Sequence, residues 1–139
     1  MVDCGPLAAL LTRIGVELGH LRRLSALTDD ELLCDPDRLP AVKYRFVVSI
    51  EASIDASRHV ALSQGLRAAT SFADSFVVLG EAGILEAELV GRLKDMAGFR
   101  NLLVHGYAHV DDARVVETLH NGLDDIEDFR RSLARAVSG

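Results

Sequence analysis

Several things are scarce in this sequence, and each scarcity excludes something. It contains only two cysteines, Cys4 and Cys34. That is too few for a disulfide framework, so free thiols in a reducing, cytoplasmic setting are expected. Neither cysteine has a neighbouring base arranged to activate it. No apolar run approaches the roughly 18 residues of a transmembrane helix; Phe76–Leu79 is typical. The start, Met1-Val2-Asp3-Cys4, lacks a basic stretch, so a secretory leader is not expected. No segment alternates strictly between apolar and polar, so no sheet is expected. Internal repeats and low-complexity linkers are missing too. Of 15 bases only Lys43 and Lys94 are lysines, from which no function follows. Bases are outnumbered by 21 acids, giving a net charge of −6. This argues against indiscriminate binding to nucleic acid, which depends on neutralising phosphates. It leaves room for a small basic site on an acidic body.

What the chain does have is helical periodicity over a length of 139 residues with 49% apolar content, enough for one ordinary domain with a sizeable core. Leu7, Leu10, Leu11, Ile14, Leu18, Leu21 and Leu24 recur at three- and four-residue steps on one helix face. Thr28-x-x-Glu31 is a capping-box pattern ahead of Leu32 and Leu33. Asp35-Pro36 offers an N-cap and first position for the next helix, with Pro40 leaving its start open by a turn. That helix carries Val42, Phe46, Ile50 and Ile54 and runs toward Leu62, with Gly65 as its stop. Thr70 or Ser71 caps a short helix with Phe72, Phe76 and Leu79. A further helix carries Leu85, Leu89, Leu93, Met96 and Leu103. The last carries Val115, Leu119, Ile126, Phe129, Leu133 and Val137, with Gly122 as its weak point. The expected fold is one all-α domain over residues 1–139: an up-and-down bundle of four long helices plus one or two short ones.

One segment concentrates chemistry. Gly98-Phe99-Arg100-Asn101-Leu102-Leu103-Val104-His105-Gly106-Tyr107 ends an amphipathic helix with an arginine, an amide, an imidazole and a phenol. Arginine's planar fork matches a phosphate, and histidine exchanges protons near neutrality. Asn101 and His105 are i,i+4 neighbours on one helix face. Arg100 and His105 are about 140° apart at roughly 100° per residue. A single helix therefore does not pinch one atom between them; an extended ligand or a second chain is needed. On the residues alone, a surface cation and a buried, hydrogen-bonded histidine remain the alternative.

Arg100-x-x-x-x-His105-x-Tyr107 resembles the R-x-x-x-x-H-x-Y motif of the HepT family, the toxin ribonucleases of the HEPN superfamily. The string Met96–Tyr107 is similar to the family pattern nearly throughout. Glu51-Ala52-x-Ile54-Asp55-x-x-x-His59 resembles the family's second helix. Ser71-Phe72-Ala73-Asp74-Ser75-Phe76, followed by Gly80-Glu81-Ala82-Gly83, resembles its short third helix and turn. The resemblance implies a HEPN helical bundle that forms a homodimer, with the motifs of both copies meeting in a cleft. It implies metal-independent RNA cleavage without a cofactor, using the RNA's own 2′-hydroxyl. His105 would be the general acid/base, Arg100 would stabilise charge on the phosphate, and Asn101 would orient the phosphate or His105. Tyr107 is similar to the tyrosine that a minimal nucleotidyltransferase antitoxin, MntA, modifies with AMP. Added phosphates beside Arg100 would occupy the cation and repel RNA. The RNA itself, transfer or messenger, stays open.

Other groups carry weaker expectations. Asp55 and His59 are i,i+4 and either pair with each other or, with Arg58 and Arg67, support the site or touch RNA. His105 and His109 have a spacing that suits a metal only if the helix continues past Gly106; no metal site is expected. His20 and His120 have no motif around them. Asp124, Asp125, Glu127 and Asp128 read as a solvated face. No acid occurs over residues 56–73 or 96–110. Those two stretches hold Arg58, His59, Arg67, Arg100, His105 and His109, which suggests a confined basic cleft. Two readings from other classes stay open: a non-catalytic partner subunit of a nucleotidyltransferase, and a helical module that binds nucleotides without cutting.

Overall fold

The computed structural model describes residues 4–106 and 110–138. Among them there are seven helices: α1 (Cys4–Ser25), α2 (Asp29–Cys34), α3 (Arg38–Ser63), α4 (Phe72–Glu81), α5 (Ala87–His105), α6 (Asp112–Asn121) and α7 (Leu123–Ser138). The four long helices close a ring in which α1 packs on α3, α3 on α5, α5 on α7 and α7 back on α1. The short helices α2, α4 and α6 fill the three connections between them. This is the expected bundle with three short helices rather than one or two.

Leucine, isoleucine and phenylalanine at helical spacing supply the interior. Ile14 and Leu21 of α1, Phe46 and Ile50 of α3, Leu93 and Phe99 of α5, and Ile126, Phe129 and Leu133 of α7 are all buried. Two edge-to-face ring pairs tie the layers: Phe46 with Phe99 at 5.3 Å, and Phe76 with Phe129 at 5.5 Å between centroids. One carboxylate is buried with them. Glu17 of α1 accepts from Arg45 Nη1 at 3.1 and 3.2 Å and pairs with Arg13 at 3.3 Å, so its charge is compensated from two helices.

The local signals act as their chemistry requires. Thr28 and Glu31 form the reciprocal capping box of α2. Gly65, at φ 67°, follows α3 in the left-handed region that favours glycine. The N–H of Leu66 then returns to the carbonyl of Ala61 at 2.8 Å. α3 itself begins later than Asp35-Pro36: Asp35 Oδ1 accepts from the Asp37 N–H at 2.9 Å, a local turn that delays the helix to Arg38. Pro40 then falls in the first turn, where its missing N–H has no partner to lose.

The expected single C-terminal helix is two. It breaks at Gly122, where a Cβ would lie 2.9 Å from the carbonyl oxygen of Thr118 and 3.1 Å from Met96 Cε. The bare glycine lets α5 approach the corner between α6 and α7. The acids after that corner are more than a solvated face. Asp124 pairs with Arg22, Asp125 and Asp128 with Arg92, and Glu127 with Arg130 and Arg131. No described helix is long and apolar enough to cross a membrane.

Candidate active site

α5 carries the Arg100–His105 motif to its own C-terminus. Phe99 and Leu103 anchor this turn in the core, which leaves Asn101 and His105 exposed on the opposite side. The helix ends at once: the Gly106 N–H bonds to the Leu102 carbonyl at 2.8 Å as its cap. Tyr107 and His109 lie outside the described residues, so the AMP-modification and His105/His109 expectations have no structural description. Among the described residues no cluster of three or more His, Cys, Asp or Glu groups is placed to hold a metal ion.

His105 and Asn101 open onto a cleft of about 760 Å³, together with Gly98, Leu102 and Gly106 of α5, Arg58 of α3, and Thr70, Ser71 and Phe72 at the start of α4. The volume far exceeds that of one phosphate group. His105 is exposed here rather than buried, which removes the structural-histidine alternative.

Arg100 points elsewhere, as the 140° argument requires. Its side chain is only 11% exposed. Nε and Nη2 donate to Glu51 Oε1 at 3.1 and 2.7 Å, and Nη1 donates to Asn101 Oδ1 at 3.1 Å. Its Cζ lies 4.8 Å from the centre of the Phe72 ring. Glu51 is a neighbour of Arg100 that spacing along α5 could not reveal, since it lies 49 residues earlier. Its signal in the sequence is an acid flanked by the buried Ile50 and Ala52, at the rim of the α3–α5 seam. Asn101 therefore does two things at once: it faces the His105 cleft and fixes one arm of Arg100.

The supporting residues divide. Arg58 lines the cleft, and its Cζ sits 5.1 Å from the Phe72 ring centre. Asp55 is exposed on α3. His59 is partly buried on the same helix. His20 and His120 are tied up locally, with Arg23 and Asp29 respectively.

Arg67 does not line the His105 cleft. It is clasped between Asp74 and Glu81, donating two bonds to each at 2.8–2.9 Å. The sequence stretch around it contains no acid, but α4 brings two to it. What the clasp does is fix the loop ahead of α4. Asp74 also accepts the Thr70 N–H, and its own N–H is capped by Ser71 Oγ. Phe72 is thereby placed at the cleft.

The clasp leaves an electrostatic signature. Arg67, then the Thr70 N–H, hold the Asp74 carboxyl well below its ordinary 3.8. Arg67 also lowers Glu81 from 4.5. Folded-state values below the unfolded ones mean that this stabilisation is present above the unfolded carboxylate range and is lost as pH falls through the folded values. Arg67→Gln is therefore expected to melt below the wild type at about pH 6, and the gap should narrow steadily below about pH 4. Thermal unfolding followed by circular dichroism checks this; a gap that is constant down to about pH 2 contradicts it. Because Arg67 and Glu81 are exposed, added salt should also shrink the gap.

The profile of the family described as Ribonuclease HepT-like matches residues 14–133. The chain belongs to that family. A HepT relative from Shewanella oneidensis, an "mRNA nuclease HepT", is 35% identical over 79 residues, spanning 57% of this chain and 59% of that protein. A "tRNA nuclease HepT" from Aphanizomenon flos-aquae is 30% identical over 107 residues, 76% of this chain and 71% of that one. The HepT-like fold superposes on a tri-AMPylated Shewanella oneidensis HEPN toxin in complex with MNT antitoxin. That match has a TM-score of 0.87 and 24% identity, and covers 94% of this chain and 98% of that one. It also superposes on the cytosolic protein YutE from Bacillus subtilis, with a TM-score of 0.72 and 18% identity over 91% and 89% of the two chains. The expected all-α bundle is thus the observed one, with a HepT-like fold.

Proposed function

We propose that this HepT-like protein is the toxin of a toxin–antitoxin pair, a metal- and cofactor-independent endoribonuclease of the cytoplasm. The observation that carries this reading is the end of α5, where His105 and Asn101 face a cleft of about 760 Å³ while Asn101 also grips Arg100. The reaction is transesterification. The RNA 2′-oxygen attacks the adjacent phosphorus and loses its proton to a base, and the 5′-oxygen leaves with a proton from an acid. A cyclic phosphate and a 5′-hydroxyl result. His105 is the acid/base group, Arg100 meets charge on the phosphoryl oxygens, and Asn101 orients both. Because Arg100 and His105 of one chain face different surroundings, a homodimer supplies the complement: one copy's imidazole acts with the other's motif. The substrate is RNA, with messenger and transfer RNA being the classes in the relatives' names. The primary test is RNA cleavage by purified, unmodified protein in EDTA, against Arg100→Ala and His105→Ala.

The partner in this reading is an MntA-like nucleotidyltransferase that adds AMP to Tyr107. Each added phosphate brings negative charge beside the motif and competes with RNA. Protein co-expressed with the adjacent nucleotidyltransferase gene is expected to gain mass in AMP steps, and Tyr107→Phe to remove them, by intact mass spectrometry. A neutralised toxin of unmodified mass would contradict the modification and indicate masking instead.

A further inference from the structure

We propose that Arg58 is a second substrate-contacting cation of this site, binding a phosphate in the His105 cleft, with Phe72 holding its guanidinium in place. The inference rests on the ribonuclease reading for the identity of its ligand, and the structure supplies three reasons for it. Arg58 shares the cleft wall with His105 and Asn101, whereas Arg100 does not. Arg67 is clasped by Asp74 and Glu81, and Arg100 is held by Glu51 away from this cleft wall. Arg58 is exposed and, among the described residues, has no carboxylate partner; its Cζ lies 5.1 Å from the centre of the Phe72 ring.

The difference between those partners matters. A carboxylate fixes a guanidinium but offsets part of its charge and occupies its donors. An aromatic face fixes it through the ring quadrupole and leaves the charge available. The same ring also lies 4.8 Å from Arg100 Cζ, so Phe72 contacts both cations. It is held there by the Arg67 clasp. The planar fork of Arg58 then meets a phosphodiester entering the cleft, with the Thr70 and Ser71 segment on the same wall.

Binding and cleavage test this separately. The probe is a 2′-O-methyl oligoribonucleotide, which lacks the attacking hydroxyl, bound to His105→Ala protein and followed by fluorescence anisotropy from low to physiological salt. Arg58→Gln is expected to reduce the slope of log K against log salt by about 0.7, the contribution of one single-strand phosphate contact. Arg58→Lys should keep the slope and recover part of the affinity. Phe72→Leu should weaken binding while keeping the slope, because it loosens the cation without removing it. In cleavage, Arg58→Gln in an otherwise wild-type chain is expected to lose about 10²-fold in kcat/KM, whereas Arg135→Gln, an arginine of α7, should lose nothing. An unchanged salt slope with Arg58→Gln overturns the proposal, even if the wild type cleaves RNA. A wild type that does not cleave, with a slope that still depends on Arg58, overturns the ribonuclease reading and leaves Arg58 as a phosphate-binding residue.

Discussion

His105→Ala is expected to lower the rate of RNA cleavage by about 10²–10⁴-fold, the range for losing a positioned acid/base group. Arg100→Ala is expected to lose about 10²–10³-fold, the range for one charge-stabilising donor. Both effects should be the same with and without EDTA. The structure adds a third member to the series. Glu51 takes two of the Arg100 bonds and sets the direction of its fork. Glu51→Ala frees the guanidinium to move, and a displacement near 1 Å costs about 10²-fold in a positioned site. Glu51 acts through Arg100, so the double variant Glu51→Ala/Arg100→Ala should be no slower than Arg100→Ala alone. Single-turnover cleavage of one labelled RNA by the wild type and the four variants reads all of this. Equal rates for wild type, His105→Ala and Arg100→Ala would overturn the catalytic assignment. Fully additive losses for Glu51 and Arg100 would overturn the positioning role.

The largest expected effect on stability is at Phe46. This ring is fully buried in α3 and meets Phe99 edge to face at 5.3 Å. Truncation to alanine removes the apolar burial, leaves a cavity and breaks the ring pair, which together cost about 3–5 kcal/mol. Against a typical net stability of about 5–15 kcal/mol this is a large fraction. The melting temperature should fall by about 10–20 °C, while Phe46→Leu should fall by less than half as much. Differential scanning calorimetry checks it, and a fall of only a few degrees would mean the site collapses around the gap. Phe99 directly precedes Arg100 on α5. Phe46→Ala should therefore also reduce cleavage below its melting transition, by loosening the turn that presents the motif.

Local chemistry was legible from the chain alone. Periodicity located the four long helices because an amphipathic helix writes its buried face at three- and four-residue steps. Thr28 with Glu31, Ser71 and Gly65 marked boundaries because each satisfies a helix end within a few residues of itself. The spacing of Arg100 and His105 even gave their divergence, since rotation along one helix is fixed. The break at Gly122 was visible only as a weakness, because the close approach of Met96 that shapes it comes from another helix.

The distribution of usable charge was decided by the tertiary structure. Acid-free stretches in sequence suggested six basic side chains around one cleft. Folding brings Asp74 and Glu81 to Arg67 and Glu51 to Arg100, and leaves Arg58 beside His105. Which cation meets which carboxylate depends on which helices are neighbours, and charge pairing acts through distances of a few ångströms rather than along the chain. The sequence by itself determined the helices, the motif and its family; the packing of α3 and α4 against α5 determined which of its cations line the cleft and which are held by carboxylates.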